Sequence, residues 1–288
     1  MAKITAKMVK ELRDATGAGP LDCKKALQET DGDMQAAVDY LREKDLARAN
    51  KKLGKGRAMN EGLVTMHQSD DKSLGVIAEV NCETDFVSSN EIFQQFAQDV
   101  ADHIAEKNPA DVNELLSQPF YKDDSKTVEG VLKGTVAEIG ESVEISNFAR
   151  FEADSGSVVA IYQHFNKLVA AMVEVTSDDA DTAYDIAMHV SNLKPQYIRR
   201  DDVPADVVDA ERKIQMNRAL EEGKPENIAE KMVTGRMGKF YQEIVLVEQE
   251  FLKDDSQTIE KLLDANDMDV VNMARFAIGE GNDEDADE

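Results

Sequence analysis

The chain has 288 residues and 42% hydrophobic side chains, which is enough for one to three domains with buried cores. Its formal net charge of −25, from 58 acidic and 33 basic side chains, argues against bulk nucleic-acid binding and against docking on an anionic membrane, because both depend on Lys and Arg. No apolar run is long enough to cross a membrane, and residues 1–5 lack the apolar core of a signal peptide. We therefore expect a cytoplasmic protein.

Residues 1–53 predict a module of three short helices. Thr5 is placed to cap the first helix, and the Thr-Gly-Ala-Gly-Pro segment at 16–20 ends that helix and starts the second. Such a small bundle has little room for catalytic machinery, so we interpret it as a recognition module; the alternative is a plain stabilising cap on the rest of the chain. A basic, glycine-containing stretch at 47–60 is typical of a connector.

The next two segments, 54–149 and 150–279, carry an internal repeat. Each copy has two apolar runs joined by a polar turn and followed by a helical pattern. In the first copy the apolar runs are 62–68 and 74–80 and the helical pattern is 88–105. In the second copy the apolar runs are 157–163 and 168–175 and the helical pattern is 181–193. A β-hairpin followed by a helix predicts an α+β fold, with two related subdomains of antiparallel sheet that each carry helices on one face.

Three further segments complete the predicted organisation. Residues 142–151 alternate as a strand that we expect to bridge the two subdomains, and residues 268–278 alternate near the C-terminus. Residues 203–241 predict an inserted antiparallel helical hairpin, which reads equally well as a protruding partner-binding arm or as surface helices folded onto the core. The acidic end, residues 280–288, predicts a disordered tail.

The most informative segment is Asn-Cys-Glu-Thr-Asp-Phe-Val at 81–87, between a predicted strand and a predicted helix. On such a turn, Phe86 can enter a pocket on another molecule while Asp85 competes for a metal or a donor group. Alternatively, Phe86 is a core anchor and Asp85 a helix cap. The second copy has Thr-Ser-Asp-Asp at 176–179, without an aromatic, although a structural anchor is expected in both copies. This asymmetry leaves both interpretations open.

Signatures of an active site are missing from the sequence. No glycine-rich loop ends in Gly-Lys-Ser or Gly-Lys-Thr, so we expect no phosphate-cradling loop. The four histidines and the two cysteines, Cys23 and Cys82, lack the spacing of a zinc site. We therefore predict a protein that is not an enzyme and that uses no cofactor and no metal of its own.

Four segments occur in an order and spacing that resembles a known family, the bacterial translation elongation factor Ts proteins, which are nucleotide exchange factors for elongation factor Tu. These segments are residues 16–27, 79–87, 186–190 and 228–237. The resemblance implies that the N-terminal module is of the ubiquitin-associated type and that the helical hairpin is a coiled-coil arm. It also implies binding to elongation factor Tu carrying GDP and release of that GDP.

The resemblance also implies particular contact residues. The turn of Thr84, Asp85, Phe86 and Val87 matches the segment that the family inserts beside the magnesium and nucleotide of the partner. His189 matches a histidine at the partner interface. Weaker matches are Arg13, Pro20 and Leu21, toward the partner's nucleotide-binding domain, and Phe251 and Leu252, toward its remaining domains. Pro20 and Leu21 stand where a well-known member has methionines, and the acidic tail stands where some members have a longer C-terminal module.

Two other classes of function stay open at this point. The N-terminal module is compatible with a ubiquitin- or peptide-binding adaptor, and the helical hairpin with a chaperone-like interaction protein. The adaptor class leaves the duplicated core and the Thr-Asp-Phe-Val turn unexplained, and the chaperone class predicts binding to many unfolded proteins without preference for one GTPase. The oligomeric state is left open between a one-to-one complex, a homodimer and a two-to-two complex with the partner.

Overall fold

The computed structural model describes residues 4–16, 18–41, 44 and 59–280, and within them the protein is an α+β protein with antiparallel sheets. Most of the predicted connector at 47–60 and residues 281–288 of the predicted tail lie outside these ranges. Glu280, predicted as the first residue of the tail, is held by Arg275 and Lys194 through oxygen–nitrogen contacts of 2.5 Å each. Glu280 is therefore attached to the folded second half.

The N-terminal residues form three short helices, α1 (Ala6–Thr16), α2 (Pro20–Glu29) and α3 (34–41). Thr5 accepts a hydrogen bond from the Met8 amide at 3.3 Å, which confirms its predicted capping role. Proline at the first position of α2 suits a helix start, because its missing N–H has no intrahelical acceptor there. The apolar faces meet in a small core of Leu12, Cys23, Ala26, Leu27, Ala37 and Leu41.

The first half of the core contains a three-stranded antiparallel sheet in the order β1-β2-β5. Its elements are β1 (Glu61–Gln68), β2 (Leu74–Cys82), α4 (Asp85–Ser88), α5 (Glu91–Lys107), α6 (Val112–Ser117), β3 (Pro119–Phe120), β4 (Asp123–Thr127), α7 (Val128–Ile139) and β5 (Val143–Glu152). The strand predicted to bridge the subdomains is β5, which pairs along the whole of β2 and is the third strand of this sheet. Only one of its faces reaches the second half, through Ala149 and Phe151.

The second half repeats this arrangement, with the sheet order β6-β7-β10. Its elements are β6 (Val158–Gln163), β7 (Val169–Val175), α8 (Ala180–Leu193), α9 (Ala205–Glu221), α10 (Glu226–Ile244), β8 (Glu250–Phe251), β9 (Asp254–Thr258), α11 (Ile259–Ala265) and β10 (Val270–Ala277). Short 3-10 turns lie at Arg200–Asp202 and Leu246–Glu248. Helices α9 and α10 stand where the first half has only α6.

The repeat is longer than the sequence pattern predicted. Residues 118–132 and 249–263 form a small hairpin and a helix in each half, and both segments contain Lys-Asp-Asp-Ser. Strands β3 and β8 have two residues each, which is too short for a hydrophobic period to be detected. Strands β5 and β10 also correspond to each other. Arg150 of β5 donates a side-chain hydrogen bond to a carbonyl oxygen of α5, and Arg275 of β10 donates one to a carbonyl oxygen of α8.

The two large sheets pack face to face, with α5 and α8 on their outer faces. The inner faces share a core of Val64, Ile77, Val159, Ile161, Ala170 and Met172. Strands β2 and β7 are therefore buried on both sides, which explains their continuous apolar runs. Each hairpin turn contacts the other sheet: the Val64 amide donates to the Lys167 carbonyl, and the Val159 amide to the Lys72 carbonyl, each at 2.8 Å.

Helices α9 and α10 follow one another through a turn at 222–225 and pack against each other. Their shared face is made of small and apolar residues, Ala219, Ala229, Val233 and Met237. Gly223 has a φ of +75°, which glycine adopts without steric cost and which ends α9. Among the described residues, no helix is both long and apolar enough to span a membrane.

Candidate functional site

The turn after β2 is capped by Thr84. Its hydroxyl accepts a hydrogen bond from the Val87 amide at 3.4 Å and donates to a carboxylate oxygen of Glu141 at 3.0 Å. Asp85 is the first residue of α4 and its side chain is exposed. The interpretation of Asp85 as the helix cap is therefore wrong, because Thr84 occupies the extended cap position before it.

Phe86 points away from the core. Its side chain is 84% exposed, whereas Val87 is 4% exposed and packs into the core beneath α5. The interpretation of Phe86 as a core anchor is wrong, and the anchor is its neighbour. A single turn thus holds one buried apolar residue and presents another to solvent, beside an exposed carboxylate.

The turn is held by several contacts. The Ser142 amide and hydroxyl both donate to one carboxylate oxygen of Glu83, at 3.0 and 2.6 Å. The Cys82 thiol donates to the Thr84 carbonyl at 3.3 Å, and burial raises the pKa of this thiol to about 11, so it stays protonated at neutral pH. Together with the Thr84–Glu141 bond, these contacts tie the turn to the loop between α7 and β5. Asp85 and Phe86 are therefore presented from a rigid support.

The corresponding turn of the second half is an ordinary helix start. Asp179 caps α8 by accepting hydrogen bonds from the Thr182 amide at 3.1 Å and from its hydroxyl at 2.6 Å. These bonds lower the pKa of Asp179. No aromatic side chain lies on this turn, so the exposed ring is a feature of one half alone.

His189 lies inside the protein and not on its surface. It is 0% exposed, its Nε2 lies 2.9 Å from the Gln249 side-chain oxygen, and its Nδ1 accepts a hydrogen bond from the Leu252 amide at 3.1 Å. Burial lowers the pKa of this imidazole, which keeps it neutral. The structure therefore corrects the prediction that His189 meets a partner directly, because both ring nitrogens are bonded within the chain.

Phe251 and Leu252 have different roles. Phe251 is 6% exposed and belongs to the core of the second half, so it is not available as a surface contact and that prediction is wrong. Leu252 is 46% exposed. Phe251 ends β8 and packs inward, whereas Leu252 lies in the turn that follows β8, so the two neighbours have different environments.

Sequence reasoning missed the equivalent of His189 in the first half. His103 is also 0% exposed, with Nε2 2.9 Å from the Gln118 oxygen and Nδ1 accepting from the Tyr121 amide at 3.2 Å. The signal that could have revealed it is the second repeat segment, since Gln118 and Gln249 begin those two stretches.

Three predicted contact residues lie together in the N-terminal module. Arg13 is in the last turn of α1, and Pro20 and Leu21 begin α2, so all three flank one connection. All are exposed, and Leu21 is 83% exposed. Within the described ranges, no group of three or more His, Cys, Asp or Glu side chains is arranged to hold a metal ion.

Comparison with known proteins gives a consistent result. A family model described as Elongation factor TS matches residues 83–280, which include the Thr84–Val87 turn. Elongation factor Ts of Trichlorobacter lovleyi is 45% identical over 293 residues, covering 96% of this chain and 93% of the relative. That of Lactiplantibacillus plantarum is 43% identical and covers 100% and 96%, and that of Clostridium novyi is 44% identical and covers 96% and 94%.

The matches to these relatives extend over nearly the whole chain, and together with the family model they identify it as a translation elongation factor. More narrowly, the chain belongs to the elongation factor Ts family. This agrees with the resemblance seen in the sequence motifs, and the structure adds which residues of those motifs are at the surface.

Proposed function

We propose that this protein is the guanine nucleotide exchange factor of elongation factor Tu: it binds the GDP form and promotes GDP release, so that GTP can rebind. The observation that carries this proposal is the 84% exposed ring of Phe86, beside the exposed Asp85, on a turn tied to the loop between α7 and β5. An exposed phenylalanine on a rigid turn suits insertion into a preformed pocket of a partner. Membership of the elongation factor Ts family supports the choice of that partner.

The proposed mechanism needs no covalent step, and the protein acts as an exchange factor without an active site of its own. A GTPase holds its nucleotide through phosphate contacts and a magnesium ion that orders the switch segments. The Phe86 ring inserts between elements of the partner and shifts those segments, while Asp85 disturbs the octahedral shell of the magnesium ion. Because the two binding events are linked, the nucleotide weakens binding of the exchange factor by the same ratio.

We propose the outer face of α8 as a second contact surface, because the duplication provides an internal comparison. In the second half this face exposes apolar side chains beside the Lys253–Asp185 ion pair: Tyr184 is 45% exposed and Leu252 46% exposed, with the partly exposed Met188 one turn along the helix from Tyr184. Tyr162 supports it from β6, with its ring 5.7 Å from that of Tyr184. A cluster of exposed apolar side chains on an otherwise acidic protein favours a protein partner.

The same positions in the first half are polar and bonded to each other. Asp102 stands where the second half has Met188, and it lies 2.8 Å from the His67 ring nitrogen. The amide of Gln98 and the hydroxyl of Tyr121 also donate to Asp102, at 3.1 and 3.4 Å. This closed polar cluster is what a solvated surface requires, so we assign docking through this helical face to the second half only.

The N-terminal module and the helical pair complete the proposal. We propose that residues 1–53 form a docking module of the ubiquitin-associated type, which meets the partner's nucleotide-binding domain through Arg13, Pro20 and Leu21. The core halves at 54–149 and 150–279 carry the two contact surfaces, and the helices within 203–241 form an arm that contacts the partner or a second copy. The protein acts in the cytoplasm, where translation takes place.

The test is the release of a fluorescent GDP analogue from purified elongation factor Tu, followed by stopped flow. The intact chain is compared with Phe86→Ala and Asp85→Ala. Val271→Ala is the control, since Val271 is 46% exposed on β10 of the other sheet. We expect Phe86→Ala to lower the exchange efficiency about 10- to 100-fold, the usual effect of removing a central interface ring, and Val271→Ala to leave it unchanged.

Two results would contradict the proposal. If the intact, folded chain does not accelerate GDP release, the exchange function is wrong, and retention of ubiquitin or of unfolded proteins in pull-down assays would favour the adaptor or chaperone class. If the chain accelerates release and Phe86→Ala is as active as Val271→Ala, exchange stands but the role of the Phe86 turn is wrong.

A further inference from the structure

We propose that His189 is a positioning residue: from inside the protein its imidazole holds the backbone of Leu252, and thereby presents the Leu252 side chain to the partner. This inference rests on the proposed function. It replaces a direct contact, which the burial of His189 excludes, with an indirect one.

The hydrogen bonds around His189 define which ring nitrogen carries the proton. The Gln249 amide nitrogen donates to the Glu243 carbonyl at 2.8 Å and to the Leu193 carbonyl at 3.4 Å, so its oxygen must face the imidazole. Nε2 therefore carries the hydrogen and donates to Gln249. The unprotonated Nδ1 accepts a hydrogen bond from the Leu252 amide, so the donor and the acceptor of each hydrogen bond between Gln249, His189 and Leu252 are defined.

The imidazole holds the tip of a small hairpin. Strands β8 and β9 pair through only two positions, Glu250 with Thr258 and Phe251 with Asp254. So short a pair has little stability of its own. On its outer side the tip has one surface ion pair, Lys253 with Asp185 at 2.7 Å, which contributes little because it is exposed. Phe251 anchors the strand in the core, and the buried hydrogen bond from Leu252 to His189 positions the backbone of the next residue, at the tip.

The first half provides a matched control inside the same molecule. His103 makes the same two hydrogen bonds, to Gln118 and to the Tyr121 amide. It also holds the tip of a hairpin whose strands, β3 and β4, pair at only two positions. The surface above it is the polar cluster around Asp102, which we do not assign to docking. If these histidine hydrogen bonds served only to stabilise the fold, substitutions at His103 and His189 would have the same effect on affinity for the partner.

The experiment uses two substitutions at each histidine in the full chain. Asparagine places its amide near the position of Nδ1 and can still accept from the hairpin amide, whereas glutamine reaches the position of Nε2 and leaves that amide without an acceptor. We measure affinity for nucleotide-free elongation factor Tu by calorimetry, and stability by urea unfolding. Loss of a buried hydrogen bond predicts that His189→Gln weakens affinity about tenfold.

We expect His189→Asn to recover most of that affinity, and His103→Gln and His103→Asn to change affinity less than about twofold, within the effect of a remote site. A double-mutant cycle provides the second measurement. Because His189 acts through Leu252, the substitution Leu252→Ala should weaken affinity in the intact chain but add little in the His189→Gln background. If His189→Gln does not fold, the same cycle is run with His189→Asn. Leu252→Ala should then weaken affinity by the same factor in the intact chain and in the His189→Asn background, because asparagine still accepts the hydrogen bond from the Leu252 amide.

Equal effects of His103→Gln and His189→Gln on affinity would overturn the inference and leave the proposed function standing. The inference would also be overturned if the effects of His189→Gln and Leu252→Ala on affinity were fully additive. In the cycle with His189→Asn, it would be overturned if Leu252→Ala no longer weakened affinity. Failure of the intact chain to bind elongation factor Tu would overturn the proposed function, and this inference with it.

Discussion

Gly75 lies between the two large sheets, at a point where the neighbouring side chains leave no room for a Cβ. It is the second residue of β2, and a Cβ built there would lie 2.5 Å from Val159 Cγ1, 2.8 Å from the Met172 sulfur and 3.3 Å from Ile161 Cδ1. The methionine can move aside, but the β-branched valine is stiff and lies in the shared core. We therefore predict that Gly75→Ala forces the sheets apart or the side chains out of their rotamers.

The expected cost is that of overpacking a close-packed interior, about 1–3 kcal/mol. Taking about 2 kcal/mol and the usual unfolding entropy per residue, the melting temperature of a chain of this length falls by about 3 °C. Equilibrium urea unfolding, followed by far-UV circular dichroism, measures the free energy directly. The equivalent residue of the second half is Ala170, which is fully buried, so the tight contact arises from the packing of the two sheets and not from the repeat itself.

Gly134→Ala is the control. Gly134 lies on an exposed face of α7 with no heavy atom within 4 Å of a built Cβ, so alanine there should stabilise the protein by about 0.5–1 kcal/mol through helix propensity. If Gly75→Ala were as stable as the parent chain, or more stable, the close contact between the sheets would be refuted.

Three further predictions follow from the candidate site. Thr84→Val should destabilise the chain by about 1–2 kcal/mol and slow exchange, because the turn loses its cap and its bond to Glu141. Val87→Ala should cost about 2 kcal/mol in urea unfolding, because it leaves a cavity beneath the turn. Burial lowers the pKa of His103, which has Lys107 and Glu106 nearby, and of His189. Below about pH 6.5 the unfolded chain therefore binds more protons than the folded chain, and the free energy of unfolding should decrease as the pH is lowered.

Each of these three has a clear contradicting result. Thr84→Ser should keep both the cap and the exchange rate, and an equal loss in Thr84→Ser would show that the hydroxyl is not responsible. An unchanged urea midpoint in Val87→Ala would exclude Val87 as the anchor. For the histidines, replacement of both by asparagine should flatten the stability profile between about pH 6.5 and 5.5, and an unaltered slope would assign it to other groups.

Sequence reasoning succeeded where local rules decide the structure. Capping by Thr5 and the hairpin-plus-helix repeat both depend on residues close to each other in the chain. The importance of the turn at 84–87 was also visible, because its aromatic is absent from the second copy. The same rules could not assign β5 to its sheet, since a strand's partner lies far away in the chain.

Burial at the candidate site needed the tertiary structure. Asp85 and Phe86 had two interpretations, and only the packing of Val87 beneath α5 decided that Phe86 faces solvent. His189 was predicted at an interface and lies inside, because Gln249, 60 positions along the chain, returns to bond it. Phe251 is buried for the same reason, as its hairpin folds against α8.

The sequence by itself determined the class of fold, the duplication and the family, because hydrophobic period, turn residues and ordered motifs are properties of short segments. Tertiary structure alone decided which side of the Thr84–Val87 turn is exposed, that His189 is buried, and that the outer face of α8 exposes Tyr184 and Met188 where α5 has Gln98 and Asp102. These depend on which distant segments share a face, and pairwise packing between the two sheets and their helices determines that.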